Sequence, residues 1–344
     1  MTHYSNDIKV SVICITYNQV DYIRDAIDSF LMQKTNFDFE ILIHDDASTD
    51  GTAEIVKEYA DRYPDKIKAV LQTENQYSKG VKVSDTFLVP LMRGHYVAFC
   101  EGDDFWCDPN KLQIQYDYME SHPDCAMYIH GGWNVSPDLK TIFNSHTLTD
   151  KPCKFGVEDA IRGLGIKTLT NSFFYRAKYR YNLPEFMKIA PTGDYGRVIV
   201  AALGGYIYYD PKKMSAHRCL AKNSFTVTYN KNPSKWYTYL DRQIAMLDCL
   251  DECTDHIYTA LIAEEKTRQR FDIYLKVKDK VALGQEPYRS LMKKLPLKTK
   301  IKRNCPFLFN LLRKMTQLFR KATQSSLPYQ AILTYRTQEE QHEN

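Results

Sequence analysis

Three carboxylates stand close together in the chain, at the end of a short apolar run. Residues 96–100 read Tyr-Val-Ala-Phe-Cys, and Glu101, Asp103 and Asp104 follow within four positions. Carboxylate oxygens suit hard divalent ions such as Mg²⁺ or Mn²⁺, which keep coordination positions open for substrate phosphates. A solvated acidic turn would explain an isolated Asp-Asp pair. Two aromatic residues continue the apolar character beyond the acids, which favours a packed turn and a cation site.

The segments ahead of these acids repeat one pattern, an apolar strand followed by a polar loop and a helix. Strands are predicted at 10–15, 39–44, 67–71 and 96–100, and helices at 20–33, from about 53 to 62, and at 83–92. Successive βα units imply an open parallel sheet with right-handed crossovers. Ligands of such sheets bind beyond the carboxyl ends of the strands. We therefore expect four loops to converge on one crevice: 16–18, 45–46, 75–80 and 101–104.

The motifs of two common nucleotide-binding classes are missing from the sequence. The chain contains neither GxGxxG nor GxxxxGK[ST], which argues against a dinucleotide dehydrogenase and against a P-loop enzyme. Phosphates would then be held through a metal ion instead of a glycine-rich cradle.

Composition predicts a reduced, cytoplasmic protein. The 344 residues can bury a large core, and the nine cysteines show no paired CxxC spacing. The polar opening residues lack the basic stretch and apolar run of a signal peptide, and no apolar run approaches the length of a membrane span.

The charge is distributed unevenly along the chain. Residues 1–286 carry 34 basic and 39 acidic side chains, whereas 287–338 carry 12 basic and no acidic ones. Apolar residues between 308 and 319 recur at helical spacing beside basic ones. Such a stripe fits either a core helix or a helix lying on an anionic membrane, and the uncompensated charge favours the membrane. The segment lacks the aromatic platforms expected for single-stranded nucleic acid.

Four motifs together carry a family resemblance. VSVICITYNQ, FEILIHDDASTDGT, ENQYSKG and YVAFCEGDDFWCDPNKLQ occur in this order. The combination is similar to the nucleotide-sugar-binding half of family 2 glycosyltransferases, inverting enzymes that build bacterial surface polysaccharides. The resemblance covers roughly residues 8–225. It implies an α/β protein of the GT-A fold, with a Rossmann-like, mostly parallel open sheet flanked by helices and a C-terminal helical extension.

The resemblance assigns roles to individual residues. Those implied to contact the nucleotide sugar are Thr16, Tyr17, Asn18, Asp46, Asn75, Glu101, Asp103 and Arg218. The acids at 101–104 correspond to the family's DxD motif, in which Glu101 replaces the usual Asp. The metal ligand, for Mn²⁺ or Mg²⁺, is Asp103 or Asp104. Where the family often has a histidine near the diphosphate, this chain has Leu220, so His217 either substitutes for it or simply packs.

Asp194 is the implied catalytic base. By itself, an acid just inside a predicted helix start is explained by the helix dipole. The Gly-Asp-aromatic segment, however, falls where the family places the carboxylate that deprotonates the acceptor hydroxyl.

Three segments are predicted, together with one function. Residues 1–225 form the nucleotide-sugar and acceptor domain, in which 133–160 is an irregular flap; 226–286 form a helical accessory segment; and 287–344 form a basic amphipathic tail. The predicted enzyme transfers one sugar, from a UDP-sugar as the commonest donor, to a glycan or lipid-linked acceptor at the inner face of the membrane. The QxxRW motif of processive synthases is absent.

Two alternatives come from other classes of protein. A metal-dependent sugar nucleotidyltransferase would share the acidic crevice, but it typically carries a Gly-rich basic loop after the first strand. A catalytically inactive sugar-nucleotide or nucleic-acid binding protein is the third hypothesis. A glycosidase would need two carboxyl groups flanking the scissile bond and would not need a nucleotide crevice.

Overall fold

The computed structural model describes residues 7–222, 224–296 and 328–343 of the chain. Within these ranges ten strands form one sheet, with helices on both faces. The strands are β1 Val10–Thr16, β2 Phe39–Asp45, β3 Ile67–Leu71, β4 Tyr96–Phe99, β5 Phe105–Trp106, β6 Cys125–Val135, β7 Ile142–His146, β8 Cys153–Phe155, β9 Phe174–Arg176 and β10 Tyr206–Arg218.

Thirteen helices are defined in the same ranges. They are α1 Ile23–Leu31, α2 Thr52–Arg62, α3 Lys111–Ser121, α4 Val157–Ile161, α5 Leu164–Lys167, α6 Glu185–Ile189, α7 Gly193–Gly204, α8 Phe225–Asn230, α9 Pro233–Cys253, α10 Thr259–Val277, α11 Lys280–Leu283, α12 Tyr288–Lys294 and α13 Gln330–Glu343. Short 3₁₀ and π-helical turns lie in the loops between β3 and β4 and on both sides of β9.

The sheet is parallel in its first half and mixed in its second. The strand order is β3-β2-β1-β4-β9-β6-β10-β5, with β7 beside β6 and β8 beside β10. Strands β3, β2, β1 and β4 are parallel neighbours. Thr16 pairs with Asp45, and Asp45 pairs with Leu71. The carboxyl ends of β1, β2 and β3 are therefore level, and β4 ends opposite Ile13, so the loops that follow these strands begin at one edge of the sheet.

Each strand contributes side chains to two cores because successive residues point to opposite faces. Ile13, Leu42 and Val97 pack on the face covered by α4 to α7 and α9. Their neighbours Val12 and Ile41 pack on the opposite face, against α1, α2 and α3. A strand buried on both faces explains the continuous apolar runs in the sequence.

The segment predicted as a helix at 83–92 is helical, but it is not one regular α-helix. The structure has a π-helical turn at Ser84–Leu88 and a 3₁₀ turn at Val89–Leu91. Pro90 has no backbone N–H to donate to the preceding turn, and its ring clashes with a regular α-helical path.

The predicted irregular flap at 133–160 is wrong. β6 extends to Val135, β7 pairs with its end, and β8 pairs with β10. β7 and β8 are short strands of five and three residues, so their formation depends on available backbone partners more than on an apolar pattern.

The predicted accessory segment at 226–286 contains α9, α10 and α11 and most of α8. Of the predicted tail, α12 and α13 are described, and α13 packs on α1. The predicted amphipathic stripe at 308–319 lies outside the described residues. Across the described ranges, the helices are all too short or too polar to cross a bilayer.

Candidate active site

The loops after β1, β2 and β4 touch one another at the sheet edge. The Gly102 N–H donates to the Ile15 carbonyl (3.0 Å), and the Asp46 N–H donates to the Thr16 carbonyl (3.1 Å). A Cβ added to Gly102 would lie 2.6 Å from Gln19 Oε1 and 2.8 Å from Thr16 Oγ1. Only glycine fits this close approach, which brings the acidic loop against the first loop.

The loop after β3 is held by Asp46. Its carboxylate accepts hydrogen bonds from the Gln76 N–H (2.8 Å) and the Tyr77 N–H (3.0 Å). Asn75 Nδ2 donates to the Asp46 carbonyl (3.2 Å), and Asn75 Oδ1 accepts from the Ser78 N–H (2.7 Å). The four loops expected to converge therefore do meet, and Asp46 and Asn75 help to join them.

The first loop is fixed by its asparagine. Asn18 has a left-handed backbone (φ 51°); its N–H donates to Ser48 Oγ and its Oδ1 accepts from the Thr49 N–H, both at 2.8 Å. The neighbouring Tyr17 is 41% exposed. Asn18 thus shapes the rim, while Tyr17 is available at the surface of the protein.

Asp104 lies at the centre of a buried polar network. Its carboxylate accepts hydrogen bonds from Asn171 Nδ2 (2.8 Å) and the Arg218 N–H (2.9 Å). His217 Nδ1 lies 3.2 Å from both carboxylate oxygens. The Asp104 charge raises the pKa of His217 well above its usual range, which favours the protonated imidazole. The oxygens of Asp104 are therefore occupied by protein groups.

The other two acids of the cluster lie where their ionised form is disfavoured. Burial, together with the charges of Asp103, Asp104 and Asp194, raises the pKa of Glu101 to about 8. Burial and the neighbouring Asp104 raise the pKa of Asp103 to about 6. A nearby cation lowers the cost of ionising such carboxylates.

These residues fit a divalent cation, which would be held by Asp103 with Glu101 beside it. The donor set is oxygen only, and its excess negative charge would be offset by the ion. Among the described residues, no group of three or more His, Cys, Asp or Glu side chains could enclose a metal ion by itself.

The placement of Arg218 corrects its predicted contact with the nucleotide sugar. The side chain is 1% exposed, and its guanidinium pairs with Asp25 and donates to the Asp103 carbonyl (2.8 Å). It also lies 5.2 Å and 4.7 Å from the ring centres of Tyr22 and Phe105. These contacts assign Arg218 to holding the acidic loop from inside the protein.

Asp194 lies in the first turn of α7, at the same rim. Thr192 Oγ1 donates to Asp194 Oδ1 (2.5 Å). Asp194 is close enough for its charge to raise the pKa of Glu101 and that of Tyr239 in α9. Arg242 of α9 donates to the Ala190 carbonyl (3.3 Å), just before this turn. Asp194 thus lies between the acidic cluster and the accessory helices.

Sequence reasoning missed two buried supporting residues, Asn171 and Asp25. Asn171 Oδ1 accepts from Ser215 Oγ (2.6 Å), and its carbonyl accepts from Trp106 Nε1 (3.0 Å). Asp25 looks like an ordinary helix residue in the sequence. Neither residue lies in a motif, and the partners of both are distant in the chain.

The fold and the site define a glycosyltransferase of the GT-A type. The family profile described as Glycosyl transferase family 2 matches residues 11–180. The chain belongs to family 2 of the glycosyltransferases, and the resemblance seen in its motifs is confirmed.

The chain is similar to proteins from several bacteria. The uncharacterized protein Rv1520 of Mycobacterium tuberculosis is 32% identical over 249 residues, which cover 70% of this chain and 67% of that protein. The putative teichuronic acid biosynthesis glycosyltransferase TuaG of Bacillus subtilis is 29% identical over 67% of this chain and 86% of its own. The S. aureus TarS 1–349 structure in complex with UDP-GlcNAc superposes with a TM-score of 0.50 over 93% of each chain, at 17% identity, and supports the fold.

Proposed function

We propose that this enzyme is an inverting, cation-dependent glycosyltransferase that moves one sugar from a UDP-sugar to a hydroxyl of a surface-polymer acceptor. The observation that carries the proposal is the buried acidic cluster, in which Glu101 and Asp103 have raised pKa values, with Asp194 beside it. A poorly compensated cluster of this kind suits a cation together with a diphosphate. TuaG, whose name refers to teichuronic acid biosynthesis, supports the class of product.

On the donor side, Asp103 is the proposed protein ligand of the cation, because the carboxylate of Asp104 is occupied by Asn171, His217 and Arg218. A bound Mg²⁺ or Mn²⁺ would offset the negative charge that develops on the departing diphosphate. Tyr17 and the loops held by Asp46 and Asn75 would line the nucleotide position. In this arrangement, the hydrogen bonds from Arg218 and Asn171 to the acidic loop would keep the cation ligand in place.

On the acceptor side, Asp194 is the proposed general base. It takes the proton from the acceptor hydroxyl as that oxygen bonds to the anomeric carbon and the bond from that carbon to the diphosphate breaks. Oδ1 accepts the Thr192 hydrogen bond, so Oδ2 is the proposed proton acceptor. One displacement inverts the configuration at the anomeric carbon. Because the chain lacks QxxRW, we propose release after one transfer.

The acceptor is proposed to be a glycan or a lipid-linked sugar at the inner face of the cell membrane. The support is the sequence of the tail, in which basic residues such as Arg313 and Lys314 flank apolar ones. Full-length chain should sediment with phosphatidylglycerol vesicles more than with phosphatidylcholine vesicles. A variant with Arg313, Lys314, Arg320 and Lys321 replaced by Gln should lose this preference. Equal sedimentation of both forms would contradict membrane docking.

The donor proposal is tested with the full chain and a panel of UDP-, GDP- and dTDP-sugars, with Mn²⁺ or with a chelator. We expect one UDP-sugar to raise the melting temperature only when Mn²⁺ is present, and its nucleotide to be released when an acceptor is added. The Asp103→Asn variant should lose the Mn²⁺-dependent part of this stabilisation. The proposal is wrong if Asp103→Asn binds the donor as well as the unchanged protein does, with and without the metal.

A further inference from the structure

Helix α13 is packed into the catalytic domain although residues 297–327, outside the described ranges, separate it from α12. Ile332 is fully buried, in a cluster with Met32, Phe105 and Ala216. Met32 directly follows α1, Phe105 directly follows the acidic loop, and Ala216 belongs to β10. The helix therefore contacts the elements that carry the acidic cluster.

Asp25, in the first turn of α1, joins this helix to the site. Its Oδ1 accepts hydrogen bonds from the Tyr329 hydroxyl (2.6 Å) and from Arg336 Nη2 (2.8 Å). Its Oδ2 accepts from Arg218 Nη2. The Asp25 side chain is only 12% exposed, so these three groups hold its carboxylate in one orientation. We call Asp25, Arg218, Tyr329 and Arg336 the Asp25 bridge.

The other end of the bridge reaches the acidic loop. Arg218 Nη1 donates to the Asp103 carbonyl (2.8 Å), and the Arg218 N–H donates to Asp104 Oδ1 (2.9 Å). A continuous chain of charged hydrogen bonds therefore runs from α13, through Asp25 and Arg218, to the backbone of the proposed cation ligand.

A second set of contacts holds the same helix without involving Asp25. The Tyr63 hydroxyl donates to Glu339 Oε2 (2.8 Å), and Arg62 lies 3.7 Å from the same oxygen. Glu339 therefore provides a matched control, since its loss weakens the docking of α13 and leaves the Asp25 bridge complete.

We propose that Tyr329 and Arg336 are positioning residues for the donor site, acting through Asp25 and Arg218. Without them, the Asp25 carboxylate keeps only Arg218 as a partner and is less restricted in rotation, because carboxylate torsions are broad. Arg218 then loses a fixed partner, and the Asp103 carbonyl loses a fixed donor. The acidic loop would sample more conformations, and the cation and nucleotide sugar would bind more weakly. The inference rests on the proposed function for its catalytic consequence.

Kinetics of the full chain test this inference through Tyr329→Phe combined with Arg336→Met. Coupling of this kind is worth roughly a 2- to 30-fold change in affinity, so we expect the donor KM and the Mn²⁺ requirement to rise by such a factor. The kcat at saturating donor should change much less. Glu339→Gln should leave both constants unchanged, even if it lowers the melting temperature equally.

A double-mutant cycle separates the bridge from a general loss of stability. Asp25→Asn should raise the donor KM by itself, and Arg336→Met added to it should raise the KM no further, because the link is already broken. Independent effects that multiply would overturn the inference, as would an unchanged KM in a folded Tyr329→Phe, Arg336→Met variant.

A measurement without substrate keeps this inference distinct from the proposed function. Hydrogen exchange of the peptide spanning 100–106 should be faster in the Arg336→Met variant than in Glu339→Gln. If no nucleotide sugar binds any form of the protein, the proposed function fails, while faster exchange would still support the bridge. Equal hydrogen-exchange rates of this peptide in the two variants would refute the proposed role of the Asp25 bridge.

Discussion

Replacement of Asp194 by Asn should separate chemistry from binding. Asn is nearly the same shape, and its Oδ1 can still accept the hydrogen bond from Thr192. An acid in the first turn of a helix contributes about 0.3–1 kcal/mol through the helix dipole. We therefore expect the free energy of unfolding to fall by no more than about 1 kcal/mol. The amide, however, cannot take a proton from the acceptor hydroxyl.

The expected effect on the rate is much larger. A general base contributes roughly 10²–10⁴-fold to a reaction, which corresponds to about 3–5 kcal/mol in the activation free energy. The assay is nucleotide release at saturating donor and acceptor, run beside a thermal-shift titration with the donor alone. Donor binding should change little, because the cation and diphosphate are assigned to the acidic loop.

The matched control is Glu185→Gln, in the first turn of α6. Glu185 is exposed and pairs with Lys188, so its loss should leave transfer unchanged. A transfer rate for Asp194→Asn within threefold of the unchanged protein would remove Asp194 as the base. A loss of donor binding equal to the loss of rate would instead assign Asp194 to the donor site.

Three further predictions concern the acidic loop. Asp104→Asn should lower the free energy of unfolding in urea by about 1–3 kcal/mol, since it disturbs a buried hydrogen-bonded network. Asp103→Asn should not lower this free energy. A protein destabilised by Asp103→Asn and not by Asp104→Asn would contradict the assigned roles. The pKa of Glu101 is raised from 4.5 to about 8 in the folded protein. As the pH rises, Glu101 therefore loses its proton in the unfolded chain before it does so in the folded protein. The free energy of unfolding of the cation-free protein should accordingly fall as the pH rises from about 5 to 8. Mn²⁺ should accordingly raise the melting temperature more at pH 8 than at pH 6, and a larger effect at pH 6 would contradict the cation site. Gly102→Ala should cost about 1–3 kcal/mol and raise the donor KM, while Gly156→Ala, with no atom within 4 Å of the added Cβ, should leave the donor KM unchanged.

The parallel half of the fold could be predicted from the sequence because its signals are local. Strands such as Val10–Thr16 are apolar on both faces, and each ends in polar residues that mark a loop. The level ends of parallel strands then bring the loops together without further information. The edge strand Ile142–His146 could not be predicted, because its pairing depends on a partner and its own pattern is largely polar.

The supporting residues of the site could not be predicted for a different reason. Asp104 looks like a metal ligand in the sequence, and only the folded chain shows Asn171 and His217 filling its carboxylate. Arg218 likewise looks like a phosphate ligand until its burial against Asp25 is seen. Contacts between residues 67 to 193 positions apart leave no periodic signal in the sequence.

The distance along the chain between Asp25 and Arg336, 311 positions, has a consequence for biosynthesis. At typical elongation rates of about 5–20 residues per second, Arg336 is added roughly 15–60 s after Asp25. The nascent polypeptide on the ribosome can therefore assemble its parallel strands long before α13 emerges. The hydrogen bonds from Tyr329 and Arg336 to Asp25 would then form last, and the newly made enzyme would reach full affinity for its donor only after they have formed.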